Sequence, residues 1–169
     1  MRLFHFTSAY HLRGIGEHGL TVGDVPTDID AVRGRIGVWL TSSETPAGHG
    51  LSGSRVDKTR FRLLVEVPET GSLQKWTTWA ARNVTRKTML RLEAADGFKA
   101  DEFFLYFGWL PPDTIKEVVE MRSGLVVPCW QSLLPPSVSL PGISFKDRHR
   151  WQKRMLKGVR KQMQVMAAA

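Results

Sequence analysis

The sequence predicts an α+β fold, and three observations predict it. Short runs rich in β-formers recur along the chain, at residues 2–8, 37–41, 61–67, 102–107 and 125–127. Helical patterns in the body are short, and only the last segment carries a long one. With 169 residues, 42% hydrophobic and 24% charged, the chain is a globular one with enough apolar side chains for one real core.

The elements follow in order. Residues 2–8 form a strand in which Leu3, His5 and Thr7 project from one face and Phe4 and Phe6 from the other. A titratable face is thus offered at the start of the chain, and an aromatic pair anchors it. Residues 9–18 have helical spacing, with Leu12 and Ile15 on one face, Ser8 at the N-cap and Gly19 as the stop. Residues 21–35 hold Pro26 and several Asp and Gly with little periodicity, which predicts a loop. Gly37, Val38, Trp39, Leu40 and Thr41 make a second strand. A turn then leads into a short helix with Pro46 at its first position, weakened by Gly48, Gly50 and Gly53.

Residues 61–67 are the clearest strand, closed by Pro68. Residues 69–84, with Trp76 and Trp79, read as an ordered loop or single helical turns, and 85–95 as a helix ended by Asp96 and Gly97. The continuous apolar run at 102–107 is expected of a strand buried on both faces, and Pro111 and Pro112 break it. Residues 115–121 are a strand, or one helical turn followed by a strand; 125–127 resume strand character.

Three segments result: a domain over 1–128, a connector over 129–145 spaced by Pro135, Pro136 and Pro141, and a basic amphipathic helical tail over 146–169. Trp151, Met155, Val159, Met163 and Met166 form one apolar stripe along the tail. Between Lys146 and Lys161 stand eight basic residues and one acid, so this segment carries +7 of the net +8 and the body is close to neutral. Such a tail offers salt-dependent, sequence-indifferent attraction to nucleic acid or to an anionic membrane. Its Met-rich stripe also suits contact with a partner protein or with the domain itself. No apolar run approaches the ~20 residues needed to cross a bilayer. No cleavable leader is visible, and one cysteine, Cys129, excludes an internal disulfide and a multi-cysteine metal site. A reducing, cytoplasmic location is the expectation.

Several chemistries are excluded. There is no phosphate-binding Gly-rich loop ahead of a Lys-Ser/Thr pair, no three-glycine dinucleotide fingerprint and no His-Glu-x-x-His. His5, His11 and His18 recur every seven residues, but a strand-to-helix break separates the first two, so they predict no metal site. Cys129 lies beside Pro128 in a connector, a poor place for a nucleophile. What remains is an ordered trio: a histidine in the first strand, an aromatic in the second, and an acid opening a later apolar strand.

That trio resembles the ADP-ribosyltransferase-fold family, which includes toxin-like transferases, poly(ADP-ribose) polymerases and RNA 2'-phosphotransferases. The first signature is Phe4-His5-Phe6-Thr7 followed by a helix ending in Gly19-Leu20. The second is Gly37-Val38-Trp39-Leu40-Thr41, with Ala47 and His49 after it; the third is Asp101-Glu102-Phe103-Phe104-Leu105, then Pro111-Pro112 and Ile115 to Val118. The resemblance covers 3–121 and implies split β-sheets around a central NAD cleft, with no metal. It implies that His5 bonds the adenine-side ribose of NAD with Thr7 close by, that Trp39 stacks on the nicotinamide, and that His49 forms a second wall. Glu102 would bond the nicotinamide-side ribose and stabilise the oxocarbenium-like transition state. Asp101 and Glu66 are rival acids. Phe6 stands where many members have a small residue, Trp39 where most have Tyr, and Ala100 where arginine-directed members have an acid or amide. The implied activity is NAD-dependent mono-ADP-ribosyl transfer to a protein or nucleic-acid acceptor, or NAD hydrolysis. RNA 2'-phosphotransfer is less well matched, because the near-neutral body offers no evident basic pocket. The reading from another class is a catalytically inactive domain of this fold that binds or assembles through its basic tail.

Overall fold

The computed structural model describes residues 1–20, 23–51, 54, 56–94, 99–133 and 157. Alternating apolar residues make Arg2–Thr7 a strand, β1. Helix α1, Ala9–His18, then turns back over it and buries Leu12 and Ile15. Ser8 is the N-cap residue of α1, and Gly19 ends the helix at φ 72° with its N–H bonded to the Ile15 carbonyl. A Cβ at Gly19 would clash with the Leu110 carbonyl oxygen, so both the conformation and the close approach require glycine.

The chain continues through β2 (Asp24–Asp28), β3 (Arg33–Ile36), β4 (Val38–Thr41), β5 (Phe61–Glu66) and β6 (Leu73–Lys75). Helices α2 (Trp76–Asn83) and α3 (Arg86–Glu93) follow, then β7 (Phe103–Tyr106), β8 (Ile115–Glu120) and β9 (Leu125–Val126). The fold is α+β. Seven strands join in one sheet in the order β6-β7-β4-β1-β5-β8-β9, and β2 and β3 form a separate hairpin. All of these pairings are antiparallel.

Both faces of the sheet are covered. On one, Leu3, Leu40, Leu63, Val65 and Val118 pack with Leu12 and Ile15 of α1 and with Trp130. On the other, Phe103 and Leu105 pack with Trp76, Trp79 and Ala80 of α2 and with Val25 of the hairpin, and Trp39 joins their edge. Alternation along β7 sends Phe104 and Tyr106 to the first cluster and Phe103 and Leu105 to the second, as its continuous apolar run predicts.

The sheet corrects the expectation of two separate halves: its strands are continuous, but unevenly joined. β1 and β5 pair over six residues, from Arg2 opposite Glu66 to Thr7 opposite Phe61. β1 and β4 share one register pair, Phe4 opposite Thr41. A seam therefore runs through the middle of the sheet.

Other expectations are corrected locally. Residues 24–36 are a hairpin, not a loop, because β2 lies over Trp39 and buries Val25. Residues 42–50 form turns and bends and no helix, as the three glycines disfavour one. Trp76–Asn83 is a true helix, held by burial of its two tryptophans and Ala80. The strand expected from residue 102 begins at Phe103, since Ala100–Glu102 is a 3-10 turn. The alternative at 115–121 resolves as a strand, preceded by a 3-10 turn at Pro112–Thr114. The packed body also extends past residue 128. Trp130 is buried, and Gly16 of α1 lets Gln131 approach so closely that an added Cβ would meet its backbone at 3.0 Å. The rest of the connector and the tail at 146–169 lie outside the described residues, except Lys157, which is helical and exposed.

Candidate functional site

Past the Phe4–Thr41 pair, a side chain takes up a backbone acceptor of β4. The His5 ring donates from Nδ1 to the Trp39 carbonyl at 2.9 Å. An N–H on Nδ1 makes Nε2 of the neutral ring an acceptor. Burial pushes the His5 pKa down to about 4 from an ordinary 6.5, against the opposing effect of the Trp39 hydrogen bond, while the charges of Lys58 and His11 lower it further. At neutral pH, His5 is thus a neutral imidazole of fixed tautomer. Beside it, Ser8 Oγ and His11 Nδ1 lie 3.0 Å apart at the start of α1. Thr7 is buried opposite Phe61.

Across the seam, the second group gathers at the ends of β4 and β7. Glu102 closes the 3-10 turn ahead of β7; its N–H donates to Lys99 O and its carbonyl accepts from Ser42 N–H, both at 3.0 Å. Backbone bonds therefore fix it on both sides. Its carboxylate lies between two nitrogen groups, with Lys99 Nζ 3.6 Å from Oε1 and His49 Nε2 3.8 Å from Oε2. Oε2 is buried and has no hydrogen-bond partner among the described residues. Leaving such an atom unpaired costs about 1–3 kcal/mol, and more for a charged group.

His49 is buried, with its side chain 3% exposed. Its ring contacts Phe6 at 5.3 Å and Phe103 at 4.9 Å between centroids, both tilted. Thr41 Oγ1 lies 3.4 Å from Nε2. Burial lowers the His49 pKa and the Lys99 charge adds to this, while the Glu102 carboxylate opposes it. The wall expected from His49 is thus an internal one. Phe6, the residue least expected beside His5, is what carries β1 into contact with this pair.

Trp39 belongs to an aromatic cluster. Its ring is 4.7 Å from Trp76 and 5.7 Å from Phe103, and its indole N–H donates to Asp24 O at 2.8 Å. The indole is half-buried and held rigidly. The rival acids separate cleanly. Asp101 is exposed, and Glu66 is exposed with its carboxylate 3.4 Å from Lys116 Nζ. Glu66 also borders an open depression with Met1, Arg2, Val67 and Pro68, at the end of β1 far from the seam. Of the charged groups that border it, Glu66 is paired with Lys116 and the N-terminal ammonium with Glu69.

His5 thus binds the Trp39 backbone carbonyl, and the Trp39 ring contacts Phe103, whose ring contacts His49 beside the Glu102 carboxylate. Reading the sequence missed Thr41 and Lys99. Lys99 was visible as a cation three residues before Glu102, whereas Thr41 gave no signal beyond closing a strand. Among the described residues no group of three or more His, Cys, Asp and Glu could hold a metal ion, and no helix is long and apolar enough to cross a membrane. Compared with known proteins, the chain matches no family model, no curated protein and no solved structure.

Proposed function

We propose that the protein cleaves NAD at its nicotinamide–ribose bond, with Glu102 as the catalytic acid residue, either transferring ADP-ribose to a macromolecular acceptor or releasing it to water. The observation that carries this reading is the buried, unpartnered Oε2 of Glu102 beside His49. A carboxylate oxygen out of water whose nearest nitrogen, His49 Nε2, stands 3.8 Å away has a deficit that a ligand hydroxyl or a developing positive charge would satisfy. The resemblance to the ADP-ribosyltransferase fold names such a ligand, and the site's other residues fit it. His5 presents Nε2 as an acceptor for a ribose hydroxyl, and the half-buried Trp39 offers indole surface to a cationic pyridinium.

In the step itself, the C1'–N bond of the nicotinamide riboside breaks and its electron pair leaves with neutral nicotinamide. Positive charge builds on C1' and the ring oxygen of the ribose, where the Glu102 carboxylate stabilises it. The oxygen of water, or a nucleophilic atom of the acceptor, then bonds C1' and releases its proton to solvent.

The test is release of labelled nicotinamide from NAD by the full chain, with Glu102→Gln as the comparison. The expected result is turnover that falls about 100- to 1000-fold in the variant. Equal release by the two proteins would remove Glu102 from the reaction.

A further inference from the structure

We infer that His49 is a positioning residue for Glu102, restraining its carboxylate by the electrostatic attraction of an Nε2–H that faces Oε2 across 3.8 Å, a gap too long for a hydrogen bond. The inference rests on the NAD-cleaving reading for its catalytic consequence, but not for its geometry. The ring is enclosed. Phe6 of β1 and Phe103 of β7 pack against it, and the side chain is 3% exposed, so it presents no open face to a ligand. Its Nε2 edge meets two oxygens, Glu102 Oε2 at 3.8 Å and Thr41 Oγ1 at 3.4 Å. The hydroxyl can donate or accept, whereas the carboxylate can only accept. A proton on Nε2 therefore suits both neighbours, and a lone pair there would face the carboxylate across a short gap.

The loop that carries His49 is tied to the turn that carries Glu102. His49 N–H donates to Pro46 O at 3.3 Å, and Lys99 N–H donates to Gly48 O at 3.1 Å. The Lys99 ammonium flanks Oε1, so the charged groups around the imidazole are one carboxylate and one ammonium. Glu102 has its backbone pinned by Lys99 and Ser42, which leaves side-chain rotation as its remaining freedom, and His49 and Lys99 restrict that rotation from two sides. A carboxylate that must meet a developing charge within a fraction of an ångström gains from such restraint.

The test has two arms on the full chain. In the first, nitrogen-15 NMR follows the His49 ring without NAD, in the wild type and in Glu102→Gln. The expected result is an Nε2–H ring at pH 7.5, with a titration midpoint that moves to lower pH in the variant because the attracting carboxylate is gone. An Nδ1–H ring, or an unmoved midpoint, would overturn the inference. In the second, nicotinamide release is measured for His49→Phe and His49→Gln. The phenyl ring keeps the packing between Phe6 and Phe103 and loses the donor; the amide restores an N–H near the Nε2 place. The expectation is a kcat about tenfold lower in His49→Phe with KM within about twofold, and recovery of most of it in His49→Gln. An unchanged kcat in a folded His49→Phe would equally overturn it. If the wild type releases no nicotinamide, the proposed activity fails, and the ring titration still decides the role of His49.

Discussion

Strand β1 has two different neighbours. Against β5 it forms a complete ladder of six register pairs, with Leu3 opposite Val65 and His5 opposite Leu63, above a floor of fully buried aliphatic side chains. Against β4 it forms a single pair, and beyond it His5 binds the Trp39 carbonyl with its ring. The same strand is thus fully laddered along one edge and joined by a single pair along the other, where the proposed site lies. Where the backbone pairs with itself, its polar groups are consumed and the side chains need only pack. Where pairing stops, carbonyls and turns become available, and several polar side chains stand there: His5 at the seam, and Thr41, His49 and Glu102 at the end of β4.

This contrast can be broken from the ladder side first. Leu63 is fully buried between β1 and β8. Leu63→Ala is expected to lower stability by about 2–5 kcal/mol, the cost of lost burial plus a cavity. Denaturant unfolding measures it; a cost under 1 kcal/mol would mean that the ladder's floor is not the scaffold described. Next in size is Glu102→Gln, whose 100- to 1000-fold loss of turnover should come with little loss of stability, because the amide keeps the shape and the backbone bonds of residue 102 to Lys99 and Ser42 are untouched. One substitution should damage folding and spare chemistry per folded molecule, and the other should do the reverse. Parallel effects on stability and turnover in both would erase the distinction.

How much of this was legible depends on which side of β1 is considered. The ladder was written in the sequence, since Phe61, Leu63 and Val65 alternate with Arg62 and Leu64, and Phe103 to Tyr106 are apolar throughout. Local pattern carries such strands because burial of alternate residues is itself local in sequence. The hairpin β2–β3 was not legible. Pro26 and a run of polar residues hide its pairing, and its one buried apolar residue, Val25, depends on Trp39 and the α2 cluster for its partners. Helix α2 follows β6 directly with Lys75 as its N-cap and no side-chain capping bond, so no start signal marked it. The trio His5, Trp39 and Glu102 could be named from signatures, but not the seam, which consists of pairings that do not form. The docking of His49 beside Glu102 was invisible for a like reason: it depends on Phe6 and Phe103, residues 43 and 54 positions away in opposite directions.

The seam should also show itself in the pH dependence of folding. His5 titrates at about 4 in the folded chain against an ordinary 6.5, so between these values the unfolded chain binds a proton that the folded chain refuses. Stability is then fully present above pH 6.5 and falls as the pH drops toward 4. Burial lowers the pKa of His11 and His49 as well, which adds to the fall in the same direction. In His5→Asn the amide keeps a donor for the Trp39 carbonyl but does not titrate. Its loss of stability between pH 7 and pH 4 is expected to be smaller than the wild type's by about 1–3 kcal/mol, after allowance for partial exposure. Urea unfolding at a series of pH values measures the difference; identical slopes would detach His5 from the buried seam.

The smallest effect tests the seam most finely. Thr41 is the β4 residue at the single register pair with β1, and its hydroxyl accepts from Ser43 N–H at 3.0 Å while lying 3.4 Å from His49 Nε2. Thr41→Val keeps the volume and the β-branched shape and removes only that oxygen. If the hydroxyl merely closes the turn at Ser43, stability falls by about 0.5–1.5 kcal/mol and the His49 titration stays in place. If it shares in holding the imidazole, the midpoint shifts as well, since a neutral neighbour of Nε2 has gone while Glu102 and Lys99 remain. Because the two outcomes have the same cost in stability, only the ring titration separates them. The seam carries chemistry, beyond tolerating a gap in the ladder, to the extent that this one hydroxyl is felt at His49.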